Sequence, residues 1–173
     1  LNLDGTFMGP PGPLNNKIID LSGIEDFSAL VYLNCSDNLI SFLDLNQNIA
    51  LENLNCESNN ILNLELNQVS NLYKLNCSYN QISYLDMSQN ISLIELNCSN
   101  NQISYLDLAQ NNLITNLNCQ NNQLSYLDVS QDTALTYLNC INNNLATLEI
   151  TQNHNLTYLN CSNNQLLNLD LTD

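Results

Sequence analysis

The chain has 173 residues, 44% of them hydrophobic, which is enough for one domain with a sizeable core and is not a disordered composition. Seventeen acidic residues against two basic ones, Lys17 and Lys74, give a formal net charge of -15. Such a field repels nucleic acid and anionic lipid, and no apolar run approaches the roughly 18 residues that a membrane-spanning helix needs.

Residues 1–29 stand outside the pattern that governs the rest. "NLDGTFMGPPGPLNN" clusters Pro and Gly without alternation and is expected to be a loop or linker. "KIIDLSGIEDF" contains one alternating trio, Ile19-Asp20-Leu21, and is expected to form an irregular first coil that covers the end of the core. The expected division is therefore a linker and capping coil over 1–29 and a repeat domain over 30–173. The chain lacks an initiator Met and stops inside a pattern, "LDLTD", so it reads as a fragment of a longer protein, truncated at its C-terminus.

From Leu30 a single motif recurs. Cysteines stand at 35, 56, 77, 98, 119, 140 and 161, at a constant interval of 21, and each unit follows L-x-x-L-N-C-x-x-N-x-[IL]-x-x-L-[DE]-[LMVI]-x-Q, the last one breaking off early. Two similar halves lie about ten residues apart. Each holds an alternating trio, Leu33-Asn34-Cys35 and Leu43-Asp44-Leu45 in the first unit, whose outer members point one way and whose middle member points the other, as in a short strand. Apolar spacing of three and then two does not fit a helix stripe. The expected fold is a solenoid of seven coils, mostly β and extended structure with very little helix, built on parallel strand ladders about 4.8 Å apart.

The units resemble leucine-rich repeats, specifically the nested 21-residue bacterial form with an L-D-L second half and a cysteine ladder found in internalin-J-like surface proteins. The lead-in "LSGIEDFSAL" is similar to the entry into the first repeat of internalins and of exported flavobacterial adhesion-type proteins. The resemblance implies a noncatalytic recognition module, secreted or on the cell surface of a bacterium, whose concave face contacts a protein or glycan in adhesion. A structural spacer of a larger surface protein is the rival expectation.

In a solenoid each repeat position becomes a column of side chains, and the columns differ in chemistry. The seven cysteines occupy an inward strand position and lack paired C-x-x-C spacing, so they are expected to be reduced packing residues and not metal ligands. Position nine is Asn38, Asn59, Asn80, Asn101, Asn122, Asn143 and Asn164, a structural column whose amides can satisfy turn backbone. Position five is Asn34, Asn55, Asn76, Asn97, Asn118, Asn139 and Asn160, which points outward and is expected to form an amide ladder. Four of these lie in N-C-S sequons, and glycans on Asn76 and Asn97 would collide, which favours a host without that modification.

Position fifteen aligns Asp44, Glu65, Asp86, Asp107, Asp128, Glu149 and Asp170. A solvated, mutually repelling acidic stripe is expected there, with calcium as the alternative; the glycine-bearing Asp turns of calcium-binding β-rolls are absent. No cofactor is otherwise expected. Neither a G-x-S-x-G, a P-loop, an H-E-x-x-H nor a dinucleotide fingerprint occurs, so no catalytic role is expected. Recognition is expected at the variable positions of the cysteine-bearing strand: Tyr32, Lys74, Glu95, Tyr137 and Tyr158 at position three, with Tyr73 and three threonines at position two. Phe42, Tyr84, Tyr105 and Tyr126 at position thirteen are expected mainly to shield coil edges, and His154 to be a solvated loop residue.

Overall fold

A computed structural model describes residues 1–3, 17–169 and 171. Seven strands of three residues each, β1 (Tyr32–Asn34), β2 (Asn53–Asn55), β3 (Lys74–Asn76), β4 (Glu95–Asn97), β5 (Asn116–Asn118), β6 (Tyr137–Asn139) and β7 (Tyr158–Asn160), form one parallel sheet in sequence order. Each residue pairs with the one 21 positions later, as Leu33 with Leu54 and Leu54 with Leu75, so the register repeats the cysteine interval coil for coil. Within a coil the chain runs through strand, turn, extended segment and turn before the next strand begins.

The alternation in the trios decides what lies inside. Leu33 and Cys35 are fully buried while Asn34 between them is half-exposed, and Leu43 and Leu45 are buried around the half-exposed Asp44. Each coil adds the same apolar set, for example Leu93, Leu96, Cys98, Ile103, Leu106 and Leu108, to one continuous core. Such side chains stabilise by about 1.5–3 kcal/mol each on burial, but no single coil can close its own core.

The second trio forms no matching ladder. Asp128 and Glu149 make an isolated parallel bridge, and the other second-half trios are extended without strand pairing among the described residues. The cause lies in the turn that follows. Backbone N–H groups there bond within their own coil, Asn111 to Leu108 O at 2.8 Å and Ile114 to Asn111 O at 3.1 Å, and so do not reach the neighbouring coil. On the strand side they do cross, as Cys98 N–H to Asn118 O at 2.9 Å.

The N-terminal end is closed in two ways. Leu1–Leu3 lie alongside β1: Asn2 bridges Asn34 in parallel, Asn34 N–H donates to Leu1 O at 2.8 Å, and Leu3 N–H donates to Asn34 O. Nothing in the sequence pattern marks these residues as an added strand, and the remainder of the expected linker, 4–16, lies outside the described residues. In the capping coil the trio Ile19-Asp20-Leu21 does not alternate as expected. Ile19 is exposed, whereas Ile18, Leu21 and Ile24 pack on the core. A 3-10 turn at Ile24–Asp26 sets this spacing, entered through Gly23 at φ 97°, a backbone angle that glycine tolerates best.

Candidate functional site

Position nine is bound on both sides. In coil five the Asn122 amide nitrogen donates to Cys98 O of the preceding coil at 3.0 Å, to Cys119 O at 3.1 Å and to Gln120 O at 3.3 Å. Its Oδ1 accepts from Ile103 N–H at 3.0 Å. Asn59, Asn80, Asn101, Asn143 and Asn164 repeat this set, and Asn38 donates to Leu3 O where a preceding coil would be. The amide thus satisfies the turn of its own coil and joins it to the coil before.

Position five differs from the expected amide ladder. Each Oδ1 accepts from the backbone N–H two residues on, as Asn97 from Ser99 at 3.2 Å and Asn118 from Gln120 at 3.3 Å, the geometry of an Asx turn. Three of the amide nitrogens reach sideways to position seven of the preceding coil, Asn76 to the Glu57 carboxylate at 2.8 Å, Asn97 to the Ser78 hydroxyl at 3.4 Å and Asn139 to Gln120 Oε1 at 2.9 Å, whereas Asn160 donates to the Tyr158 hydroxyl of its own coil. The oxygens are thus engaged within their own turns, twice at Asn76 and Asn160, where the Ser78 and Ser162 hydroxyls donate as well.

An amide ladder does form, at position eight. Asn121 donates to Asn100 Oδ1 at 2.7 Å, Asn142 to Asn121 and Asn163 to Asn142. All seven position-eight residues, Asp37, Ser58, Tyr79, Asn100, Asn121, Asn142 and Asn163, have φ between 53° and 56°. Among residues with a Cβ, Asn and Asp enter this left-handed region most readily, so the asparagines are the local signal that sequence reading passed over.

A second unread column stands at position nineteen: Asn48, Val69, Asn90, Asn111, Asp132 and Asn153, all buried. Asn111 donates to Met87 O at 3.0 Å and Asn90 O at 2.8 Å; Asn153 donates to Val129 O at 2.8 Å and Asp132 O at 2.9 Å. This amide joins the coils on the side where the backbone ladder is missing.

The acidic column is also part of the turns. Asp44, Asp86, Asp107 and Asp128 each accept the backbone N–H two residues on, at 2.9 to 3.0 Å. The Ser88 N–H and then its hydroxyl hold the Asp86 carboxyl below the usual carboxylate range, and Ser130 does the same for Asp128. The expected repulsion within the stripe is therefore outweighed at these two carboxylates by local donors. Asp170 lies outside the described residues, and among those described no group of three or more His, Cys, Asp or Glu side chains converges as a metal site.

The seven cysteines are free thiols. Six are fully buried and Cys161, in the last coil, is half-buried. Burial pushes Cys35, Cys98 and Cys140 up to about 12 and Cys56, Cys77 and Cys119 well above the ordinary thiol value, so these sulfurs stay protonated and poorly nucleophilic.

The variable side chains stand on the outer face of the strand ladder. Tyr32 and Tyr158 are exposed there, along with Val31, Tyr73 and Ile94. Lys74 and Glu95, neighbours across β3 and β4, form an ion pair at 2.5 Å. The Tyr137 and Tyr158 rings, neighbours across β6 and β7, stack with centroids 4.4 Å apart and planes 6° from parallel. Their edges and not their faces therefore point away from the ladder. Threonines 136 and 157 each donate a hydroxyl at 3.0 Å to the position-two carbonyl of the preceding coil. On the flank, Tyr105 and Tyr126 stand over Asp107 and Asp128, with hydroxyl-to-carboxylate distances of 3.5 and 3.3 Å, and frame a cavity of about 240 Å³. His154 borders a separate hollow at the last coil with Leu156, Tyr158 and Leu171.

No family model and no curated protein matches the sequence. Solved structures do. The functional domain of InlJ from Listeria monocytogenes, which includes a cysteine ladder, is 37% identical with a TM-score of 0.74 over 90% of this chain and 40% of its own. A leucine-rich repeat protein from Leptospira interrogans is 29% identical with a TM-score of 0.78, over 83% and 40% of the two chains. YopM from Yersinia enterocolitica is 32% identical with a TM-score of 0.71, over 82% and 30%. The chain spans less than half the length of each. With the coil length, the single parallel ladder and the column of buried thiols in place, the chain belongs to the leucine-rich repeat proteins, in the form that carries a cysteine ladder.

Proposed function

We propose that this domain is a noncatalytic recognition module, exported by a bacterium, that binds a protein through the outer face of β1–β7 in adhesion. One observation carries the reading. Positions five, eight, nine and nineteen are tied up in turns or bonds between coils, whereas positions two and three change from coil to coil and stand exposed or half-exposed on a rigid sheet. Tyrosine is the commonest residue of that variable set, and its area is gained at low entropy cost in a contact. The likeness to internalin-type repeats supports adhesion and a surface location. Tyr32, the Lys74–Glu95 pair and the Tyr137–Tyr158 stack are the proposed contact residues, with a protein ligand preferred over a glycan because the stacked rings do not offer a flat face to a sugar.

The test begins with surface plasmon resonance of the domain against an array of extracellular proteins. For a partner so identified, Tyr137→Ala with Tyr158→Ala is expected to weaken binding at least about tenfold, the loss of a modest hot spot. Tyr84→Ala with Tyr105→Ala, on the flank, is expected to leave it unchanged. Equal affinity of parent and Tyr137/Tyr158 variant would remove this face from the contact. Unchanged adhesion after deletion of a whole 21-residue coil would point instead to a spacer.

A further inference from the structure

Asp132 is the only acid in the position-nineteen column, and it is 1% exposed. In the neighbouring coils the amide nitrogen at this place donates to two carbonyls of the preceding coil. The equivalent carbonyls for Asp132 are those of Leu108 and Asn111, and an ionised carboxylate has no hydrogen to give them. Its Oδ1 is buried with no hydrogen-bond partner, as is that of each asparagine in the column, so what sets Asp132 apart is the lack of a donor beside it. Asp132 also borders the 240 Å³ flank cavity between coils four and five.

The charged and titratable groups that line the cavity with it are carboxylates and phenols, none of them cationic. Asp107 and Tyr105 of coil four and Tyr126 and Asp128 of coil five line the same cavity. From coil six, Glu149 pairs its backbone with Asp128, and His154 follows Asn153, whose amide donates to Asp132 O. Of the two lysines in the chain, Lys74 is paired with Glu95 and Lys17 donates to Asp37 O.

We propose that Asp132 is a proton-operated joint in the rod. Protonated, its carboxyl hydroxyl replaces the missing amide and donates to the Leu108 or Asn111 carbonyl, closing coil five onto coil four. Ionised, it sets a carboxylate against those carbonyls in a buried space, and the coils loosen along the Tyr105–Tyr126 flank while the strand ladder on the opposite side holds them together.

Burial, and secondarily the charge of Asp128, push the Asp132 carboxyl up to about 7 from an ordinary 3.8. A folded-state value above the unfolded one means that stability from this group is full below about pH 4, falls as pH rises to about 7, and is level beyond. A rise of that size corresponds to roughly a thousandfold change in the folding equilibrium between the two ends of the window.

Carboxyl-carbon NMR titration of the 173-residue chain tests the first half directly: a midpoint near 7 for Asp132 is expected, and a midpoint near 4 overturns the proposal. Asp132→Asn supplies the amide permanently. The ratio of folding constants, Asp132→Asn over parent, from urea unfolding is expected to rise about tenfold per pH unit from about 4 to about 7 and then level off. A ratio that does not change with pH overturns it. Hydrogen exchange at about pH 8, corrected for intrinsic rates, is expected to be faster in the parent than in the variant, and by a larger factor at Asp132 and Leu135 than at Cys119 and Asn121 on the ladder side. The same factor at all four positions overturns the joint.

Discussion

Asn122→Ala tests how the columns hold the coils together. Asn122 gives two amide hydrogens to three buried carbonyls and takes one from Ile103 N–H. The carbonyls are not all orphaned by its removal: Cys98 O keeps the donation from Asn101, and Cys119 O keeps that from Asn143. Ile103 N–H loses the oxygen that holds it, at a cost of about 1–3 kcal/mol, and the amide hydrogens contribute about 1 kcal/mol more. The expected destabilisation is about 3 kcal/mol, a fall in Tm of about 6–12 °C for a domain of this length. Asn118→Ala, which removes one turn hydrogen bond at a half-exposed site, is expected to cost less than about 1 kcal/mol. Urea unfolding with an unchanged m value measures both. The double variant Asn101→Ala with Asn122→Ala should cost about 1 kcal/mol more than the sum of the singles, because both side-chain donors to Cys98 O are then gone. Asn118→Ala costing as much as Asn122→Ala, or strict additivity of the pair, would refute this account of how the coils are joined.

The thiol column and the left-handed column give two further tests. At about pH 8 an alkylating reagent is expected to add once to the folded chain, at half-buried Cys161, and seven times in denaturant, with intact mass as the readout; several adducts on the native chain would contradict the sealed core. Tyr79 holds φ 54° at the ladder position where Asn100, Asn121 and Asn142 follow, so Tyr79→Asn is expected to raise stability by about 1 kcal/mol by relieving the left-handed residue and extending the amide ladder; a lower urea midpoint would count against that account.

The coil length, the core and the register were legible because all three depend on one number, the cysteine interval. Leu33, Cys35, Leu43 and Leu45 could be placed inward from alternation alone. What alternation does not contain is hydrogen-bond direction. Asn34 and Asn121 are the same residue type on the same rod, yet the oxygen of one accepts within its own turn and the amide of the other, at a positive φ, donates to the Asn100 oxygen of the coil before. Leu43-Asp44-Leu45 has the pattern of a strand, but the backbone of the turn after it bonds inward, so the pattern was present without the ladder. Leu1–Leu3 pair with β1 through backbone groups that every residue carries, and no side-chain pattern could have announced it. Asp132 was hidden for a different reason: position nineteen tolerates Val69 as well as asparagine, which breaks the column when it is sought by residue identity.

These bonds between coils also bear on recognition. A side chain at position nine or nineteen is read by two coils at once, so a change there disturbs a neighbour it does not belong to. Positions two and three face outward from strands whose backbone is already paired, and can vary without unmaking the stack. Two of the proposed contacts are nonetheless ordered before any partner arrives: Lys74 is held by Glu95, and Tyr137 by Tyr158, each across one ladder step. The exposed ion pair adds little to folding. Its effect, like that of the stacked rings, is to fix rotamers that would otherwise cost about 0.5–1.5 kcal/mol apiece to immobilise in a complex. Breaking the stack with Tyr137→Ala should therefore weaken binding by more than the area of one ring, because Tyr158 is released as well.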